Sequence, residues 1–174
     1  EVINFDAAFR SSPEWRKLNP VGKVPAMTDG ELVMFESGAM VQYLVDRYGQ
    51  GKLQPKPGTP DHALYLQWSW FAEATFSRPL GEVVNHGREF PGDRRITEVV
   101  DEMKNRATLS LEAVAEEISD KQYLVAEEFS AADIMMGYTI MLADRLLDKP
   151  LPDKIIPYWE RLNEREGFAI AQAK

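Results

Sequence analysis

The sequence has no cysteine and little histidine. The complete absence of cysteine from the 174 residues excludes disulfide bonds and cysteine-ligated metals within the chain, and it fits a reducing cytoplasm. The two histidines, His62 and His86, do not have the spacing of the known metal-binding motifs. We therefore expect no metal site in this chain.

Long apolar runs and an excess of basic residues are also missing. No run approaches the roughly 20 apolar residues that a membrane-spanning helix needs, and the first residues, EVINFD, lack the pattern of a signal peptide. Acidic residues outnumber basic ones by 28 to 20, which gives a net charge of −8. Binding to phosphate groups needs basic patches, so we expect no binding to nucleic acid. Because cysteine, a signal peptide pattern and a long apolar run are also missing, we expect a cytoplasmic protein that does not bind membranes.

The residues that are present predict two domains. Residues 1–50 mix strand and helix signals, which indicates an α/β domain. Residues 51–60 are rich in glycine and proline and read as a linker, because such a stretch suits neither a helix nor a strand interior. Residues 61–174 have helical character almost throughout, so the second domain is predicted to be all-α.

Several elements are predicted in the first domain. EVINFD reads as a strand, and AAFRSSPEWRKLNP reads as irregular or weakly helical, with Pro13 and Pro20 as breakers. KVPAMTDGELVMF predicts a β-hairpin around Asp29-Gly30. A helix is expected from about Ser37 to a stop at Gly49 in a C′-like position. Its apolar face would consist of Val41, Leu44, Val45 and Tyr48.

About five helices are predicted in the second domain, over residues 61–89, 94–119, 130–147, 154–165 and 168–173. The third is apolar on nearly every side, which predicts a buried helix. At its start, Ser130 and Asp133 have the spacing of a capping box, and Phe129 and Ile134 that of a hydrophobic staple. A capping role explains this spacing and a catalytic dyad does not, so we assign Ser130 and Asp133 a structural role.

A ligand site is suggested by a proline and a helix start in the first domain. Pro25 interrupts a strand, which would leave the backbone of Val24 unpaired and able to pair with an extended peptide, especially if the Val24–Pro25 bond is cis. Ser37 could simply cap its helix, but a helix start also suits a carboxylate. Glu36 could hold an ammonium group, and Lys23 could meet a carboxylate at the other end of the ligand.

The segment NPVGKVPAMTDGELVMFESGAMVQYLVDRYG resembles the glutathione-binding half of cytosolic glutathione transferases, and EEFSAADI resembles the capping region of their central helix. The resemblance implies a thioredoxin-like first domain. It also implies that the valine before the family's cis-proline, here Val24 before Pro25, pairs with the cysteinyl part of glutathione. By the same resemblance Glu36 and Ser37 bind the γ-glutamyl end, and Lys23 lies near the glycyl carboxylate.

One part of the family pattern is not matched. The resemblance implies a strand and a helix before EVINFD, with the thiol-activating Tyr, Ser or Cys at the end of that strand or the start of that helix. We expect such a segment to precede this sequence in the intact protein, and the alternative is a truncated or degenerate paralogue. The catalytic residue is therefore unknown, and neither Ser11, Ser12 nor any tyrosine of this chain is assigned to that role.

The resemblance implies a glutathione transferase that conjugates the glutathione thiolate to small hydrophobic electrophiles and forms a homodimer. The electrophile is expected in an apolar pocket between the domains, with Trp70, Phe76 and Arg78 as candidates. Aromatic residues at helical spacing more often belong to the core, and Arg78, just before Pro79, is more often a solvated surface residue. The alternatives are a non-catalytic scaffold or regulator of the same fold, or a glutathione-dependent isomerase, dehalogenase, reductase or peroxidase.

Overall fold

The computed structural model describes Phe9 and residues 11–173, which form two compact units, residues 1–50 and 51–174. The first unit contains helix α1 (Pro13–Leu18), strands β1 (Ala26–Asp29) and β2 (Leu32–Phe35), and helix α2 (Ser37–Tyr48). The strand predicted over EVINFD lies outside the described residues. The predicted linker, residues 51–60, belongs to the second unit, where the carbonyl of Leu53 accepts a hydrogen bond from the N–H of Ala131 at 2.8 Å.

The predicted β-hairpin is confirmed. Strands β1 and β2 pair antiparallel, with Ala26 opposite Phe35 at one end and Asp29 opposite Leu32 at the other. The turn therefore consists of Gly30 and Glu31, and Gly30 has a φ of 59°, a region that glycine enters without steric cost. At the open end of the hairpin, this register brings the residues just before Ala26 beside those just after Phe35.

Helix α1 corrects the expectation that Pro13 breaks regular structure. Pro13 occupies the first turn of the helix, where its missing N–H is not needed for an intrahelical hydrogen bond. The side chain of Ser12 caps the helix by accepting a hydrogen bond from the N–H of Trp15 at 3.1 Å. Trp15 is buried and fixes this short helix to the core of the first unit.

Helix α2 begins at the predicted residue but differs in detail. Its buried residues are Met40 and Val45, whereas Leu44 and Tyr48 of the predicted apolar face are exposed. Gly49 has a φ of −73° and is right-handed. The predicted stop at Gly49 is confirmed, but Gly49 is the C-cap residue and not C′, and the positive φ lies at Gln50.

Asp29 explains why Tyr48 lies outside the core. The Tyr43 hydroxyl donates a hydrogen bond to Oδ2 of Asp29 at 2.7 Å, and the Tyr48 hydroxyl donates to the same oxygen. These hydrogen bonds, that from Tyr48 first, hold the pKa of the Asp29 carboxyl below its ordinary value. They connect the last turns of α2 to the turn end of the hairpin, so Tyr48 serves as a tether and not as a core residue.

The second unit is helical, as predicted. It begins with three consecutive helical segments, α3 (Pro60–Trp70), a π-helical segment (Phe71–Ser77) and α4 (Arg78–Glu89). A short 3-10 turn (Gly92–Arg94) leads into α5 (Thr97–Ile118), followed by α6 (Ala131–Leu146), α7 (Ile156–Asn163) and α8 (Glu166–Gln172). Met136, Ile140 and Ala143 of α6 are fully buried, but Ile134 and Tyr138 are exposed. The expectation that α6 is buried on nearly every side is wrong for that face.

The predicted capping box is present at the start of α6. Oδ2 of Asp133 accepts hydrogen bonds from the N–H of Ser130 at 2.8 Å and from its hydroxyl at 3.1 Å. Oδ1 accepts from the N–H of Leu124 at 3.0 Å and from the Tyr158 hydroxyl at 2.9 Å. Burial raises the pKa of the Asp133 carboxyl, and these hydrogen bonds oppose that effect. Asp133 thus joins α6 to the preceding loop and to α7.

Candidate functional site

The loop between α1 and β1 is organised by a buried side chain, Asn19, which is 2% exposed. Its Oδ1 accepts a hydrogen bond from the N–H of Val21 at 3.1 Å. Its Nδ2 donates to the carbonyl of Lys23 at 2.7 Å and to that of Pro25 at 3.4 Å. One amide therefore satisfies three backbone groups of the loop. Asn19 was not predicted as part of the site, since an Asn directly before Pro20 indicates a turn but not which backbone groups its side chain binds.

Gly22 allows the same loop to close on Arg16. Gly22 is buried and has a φ of 67°, in the left-handed region that favours glycine. The Arg16 guanidinium donates a hydrogen bond from Nη1 to the carbonyl of Pro20 at 3.0 Å. It also covers Gly22 closely, because a Cβ at Gly22 would lie 2.6 Å from Cζ of Arg16. The positive φ therefore favours glycine at position 22, and a larger side chain would also displace the flexible end of Arg16.

We expect Gly22→Ala to lower the free energy of unfolding by about 1–2 kcal/mol, the cost of a left-handed non-glycine residue, plus the cost of displacing Arg16. Gly30→Ala is the matched control, because Gly30 also has a positive φ but nothing lies within 4 Å of the added Cβ. Urea denaturation of both variants measures the two costs. Equal losses would show that the Arg16 contact contributes nothing, and a neutral Gly22→Ala would contradict the argument.

Val24 and Pro25 follow this loop at the open end of the hairpin. The Val24–Pro25 peptide bond is cis. Val24 is 61% exposed, and Lys23 and Pro25 on either side are exposed as well. Within the part of the chain that the structure describes, neither the N–H nor the C=O of Val24 makes a hydrogen bond. The peptide groups of Val24 are therefore available to an extended ligand.

Glu36 and Ser37 lie opposite, where β2 leads into α2. Glu36 is the N-cap residue, with φ 76° and ψ 103°, and its carbonyl accepts the first helical hydrogen bond from Met40 at 3.0 Å. A positive φ is strained for glutamate, and such strain clusters at functional sites. Ser37 is half-buried and is the first residue of the helix, so the alternative of a capping serine is not observed. Among the described residues its hydroxyl has no hydrogen-bond partner.

The hairpin register places these two pairs side by side. Because Ala26 is opposite Phe35, the Val24–Pro25 and Glu36–Ser37 segments are neighbours at the same end of the hairpin. The free N–H groups and the dipole at the start of α2 favour a negative group there. The exposed carboxylate of Glu36 favours a positive one, and Lys23 adds a cation at the Val24 side. This edge suits an extended peptide that carries charges of both signs.

The residues predicted to contact an electrophile lie in the second unit and differ in exposure. Trp70 is 67% exposed and Arg78 is exposed, whereas Phe76 is 0% exposed. The assignment of Phe76 to an open pocket is corrected, because its ring is enclosed in the helical core. Trp70 and Arg78 flank the π-helical segment, and helices of this rare type are frequent at functional sites. Their role stays a prediction.

Among the residues that the structure describes, no group of three or more His, Cys, Asp or Glu side chains is arranged to hold a metal ion. None of the described helices combines the length and apolar character needed to cross a membrane.

The fold and the site together define a class of protein. A small thioredoxin-like α/β unit is followed along the chain by a helical unit, as in solved glutathione transferase structures. A family model described as "Glutathione S-transferase, N-terminal domain" matches residues 1–46. This match, the similar proteins and the similar solved structures all support a member of the cytosolic glutathione transferase family.

The similar proteins cover most of the chain. The chain is 28% identical to "Glutathione S-transferase 3" of Schizosaccharomyces pombe over 95% of its own length and 73% of the relative. It is 25% identical to "Glutathione S-transferase F13" of Arabidopsis thaliana, over 95% of the chain and 79% of that relative. The crystal structure of the glutathione transferase URE2P8 from Phanerochaete chrysosporium, solved with oxidized glutathione, covers 99% of the chain and 82% of its own chain at 27% identity and a TM-score of 0.87.

Proposed function

We propose that this protein is a glutathione transferase that binds glutathione at the Val24/Ser37 edge and conjugates its thiolate to small hydrophobic electrophiles. The observation that carries the proposal is the exposed residue Val24, whose N–H and C=O have no hydrogen-bond partner among the described residues, beside the start of α2. Support comes from the similar structure of URE2P8, which was solved with oxidized glutathione. The proposal includes a cytoplasmic location and no metal.

Each part of glutathione has a matching group at this edge. The N–H and C=O of Val24 pair with the peptide groups of the cysteinyl residue, as when a strand adds to a sheet edge. The α-carboxylate of the γ-glutamyl end accepts hydrogen bonds from the Ser37 hydroxyl and the first N–H groups of α2. Glu36 pairs with the ammonium group, and Lys23 pairs with the glycyl carboxylate. Pro25 holds the edge without donating a hydrogen bond of its own.

The chemistry of the proposed reaction is nucleophilic substitution or addition by sulfur. The thiolate and not the thiol is the nucleophile, and a free cysteine thiol has a pKa of about 8.5. The thiol loses its proton, the sulfur lone pair forms a bond to the electrophilic carbon, and a leaving group departs with its electron pair where one is present. The residue that stabilises the thiolate is not assigned. Trp70 and Arg78 are the candidate contacts for the electrophile.

We also propose that the protein forms a homodimer. Helix α2 exposes Leu44, and helix α3 exposes Leu64 and Leu66. Exposed apolar side chains on consecutive helices favour burial against another copy of the chain. The dimer is a separate part of the proposal, because binding of glutathione at the Val24/Ser37 edge does not depend on it.

Isothermal titration calorimetry with two ligands tests the proposal. We expect glutathione to bind at least about tenfold more tightly than cysteinylglycine, a difference of roughly 1.4 kcal/mol. The dipeptide can still pair with Val24 and Lys23, but it lacks the γ-glutamyl group that Glu36 and Ser37 would hold. Equal affinities would contradict the assignment of Glu36 and Ser37, and no binding of glutathione at millimolar concentration would contradict the proposed function.

A second measurement separates the transferase from a non-catalytic scaffold of the same fold. Mixed with glutathione and 1-chloro-2,4-dinitrobenzene, the protein should accelerate formation of the thioether, which is followed by its absorbance. Binding of glutathione without acceleration, for this and for other classes of electrophile, would favour the scaffold. The free peptide groups of Val24 favour the ligand-binding alternative, because a scaffold has no need of them.

A further inference from the structure

We propose that Asn19 is a positioning residue for glutathione, which sets the direction of the Val24 N–H through the carbonyl of Lys23. The inference rests on the proposed function and adds to it a residue that does not touch the ligand. Asn19 lies behind the Val24/Ser37 edge, with its side chain 2% exposed. Its backbone N–H donates to the carbonyl of Trp15 at 2.8 Å, which fixes Asn19 to the end of α1.

The geometry of the peptide plane carries the argument. The C=O of Lys23 and the N–H of Val24 belong to the same planar trans peptide, so they point in opposite directions. Nδ2 of Asn19 binds the Lys23 carbonyl at 2.7 Å, the shortest of its hydrogen bonds. The carbonyl is thereby held toward the buried amide, and the Val24 N–H is held away from it, toward the exposed edge.

The second donor contact of Asn19 supports the same edge from the other side of Val24. Nδ2 also donates to the carbonyl of Pro25 at 3.4 Å, a longer and weaker contact than the first. The two carbonyls that Asn19 binds therefore flank Val24 and leave the Val24 carbonyl itself free. An Asn side chain suits this role because it offers two N–H donors and one acceptor on a single short side chain.

Aspartate at position 19 is the most informative substitution. Asn19→Asp keeps the size and the Oδ1 acceptor for Val21, but it replaces the two donors with an oxygen that repels the carbonyls of Lys23 and Pro25. We expect the Kd and the KM for glutathione to rise about tenfold or more, the size of effect typical of mutating an outer-shell partner of a ligand. The kcat at saturating glutathione should change by less than about threefold, because Asn19 touches neither the thiol nor the electrophile.

Thr139→Val is the matched control for stability. Thr139 is also buried and polar, and its hydroxyl donates within the helical unit to the carbonyls of Ala72 and Met135 at 3.3 and 3.2 Å. This variant should lose stability without any change in the affinity for glutathione. If Asn19→Asp binds glutathione as tightly as the unchanged protein, the role of Asn19 is overturned and the proposed function stands. If the unchanged protein does not bind glutathione, both the role of Asn19 and the proposed function are overturned.

A measurement on the unchanged protein covers the case in which Asn19→Asp fails to fold. In ¹H–¹⁵N spectra, glutathione should shift the Val24 N–H resonance downfield, as a new hydrogen bond does, and should slow its exchange with solvent. The side-chain amide protons of Asn19 should already exchange slowly without glutathione, because both contacts of Nδ2 are internal. Fast exchange of those protons, or a Val24 N–H that does not respond while Ser37 does, would overturn the inference.

Discussion

Replacement of Asp133 by alanine is expected to lower the free energy of unfolding by about 3–5 kcal/mol, because several buried donors lose their common acceptor. The carboxylate is 0% exposed and accepts hydrogen bonds from Ser130, Leu124 and Tyr158. Alanine would leave these donors buried without acceptors, and each unsatisfied donor costs about 1–3 kcal/mol. Urea denaturation followed by circular dichroism measures the loss.

Two milder substitutions in the same network serve as controls. Tyr158→Phe removes one donor, whose hydroxyl lies 2.9 Å from Oδ1, and leaves the backbone contacts of Asp133 in place. We expect a loss of about 1–1.5 kcal/mol from it, the net contribution of one hydrogen bond. Asp133→Asn keeps one acceptor, so its loss in the free energy of unfolding should lie between those of Asp133→Ala and Tyr158→Phe. A loss for Asp133→Ala no larger than that for Tyr158→Phe would show that the contacts with Leu124 and Ser130 contribute nothing.

The same network shows what the sequence could and could not predict. The pairing of Ser130 with Asp133 was predictable, because both partners lie within four residues and the capping box has a fixed spacing. Leu124 and Tyr158 carry no such signal. They lie nine and 25 residues from Asp133 along the chain, so their contacts depend on how the loop and α7 pack against α6.

A similar division applies to the candidate site. The proximity of Val24 and Pro25 to Glu36 and Ser37 was predictable, because both pairs lie at the open end of one hairpin, whose turn chemistry and length fix the register. Asn19 was not, because its role comes from three hydrogen bonds that the folded loop creates. The helix at Pro13 was missed for a different reason, since proline either breaks a helix or begins one.

Phe76 lies in the π-helical segment, and its burial favours the core alternative over the pocket that the resemblance suggested. A helix of this type bonds residue i to i+5, so each of its turns holds more residues than an α-helical turn. Periodicity of 3.6 residues read across Phe71–Ser77 therefore assigns side chains to the wrong faces. Phe76 faces the core, and Trp70, which precedes the segment, remains exposed. Sequence patterns could predict the long helix but not this change of period within it.

The exchange of Ser37 for alanine is expected to weaken glutathione binding about 10- to 100-fold, because a hydrogen bond to a charged group contributes about 1.5–3 kcal/mol. The Ser37 hydroxyl has no partner among the residues that the structure describes, so alanine would leave no donor or acceptor of the protein unsatisfied. Alanine also favours the helix slightly more than serine does. The free energy of unfolding should therefore stay unchanged or rise by a few tenths of a kcal/mol.

Thr59→Ala should give the opposite pair of results and is the matched control. Thr59 caps α3 in the second unit, where its hydroxyl accepts a hydrogen bond from the N–H of His62 at 3.2 Å. Loss of the Thr59 hydroxyl should lower the free energy of unfolding by about 1 kcal/mol and leave the affinity for glutathione unchanged. Calorimetry and urea denaturation on both variants separate binding from folding. If Ser37→Ala loses stability but keeps its affinity, the hydroxyl serves α2, and the γ-glutamyl end of the ligand must be held by other groups.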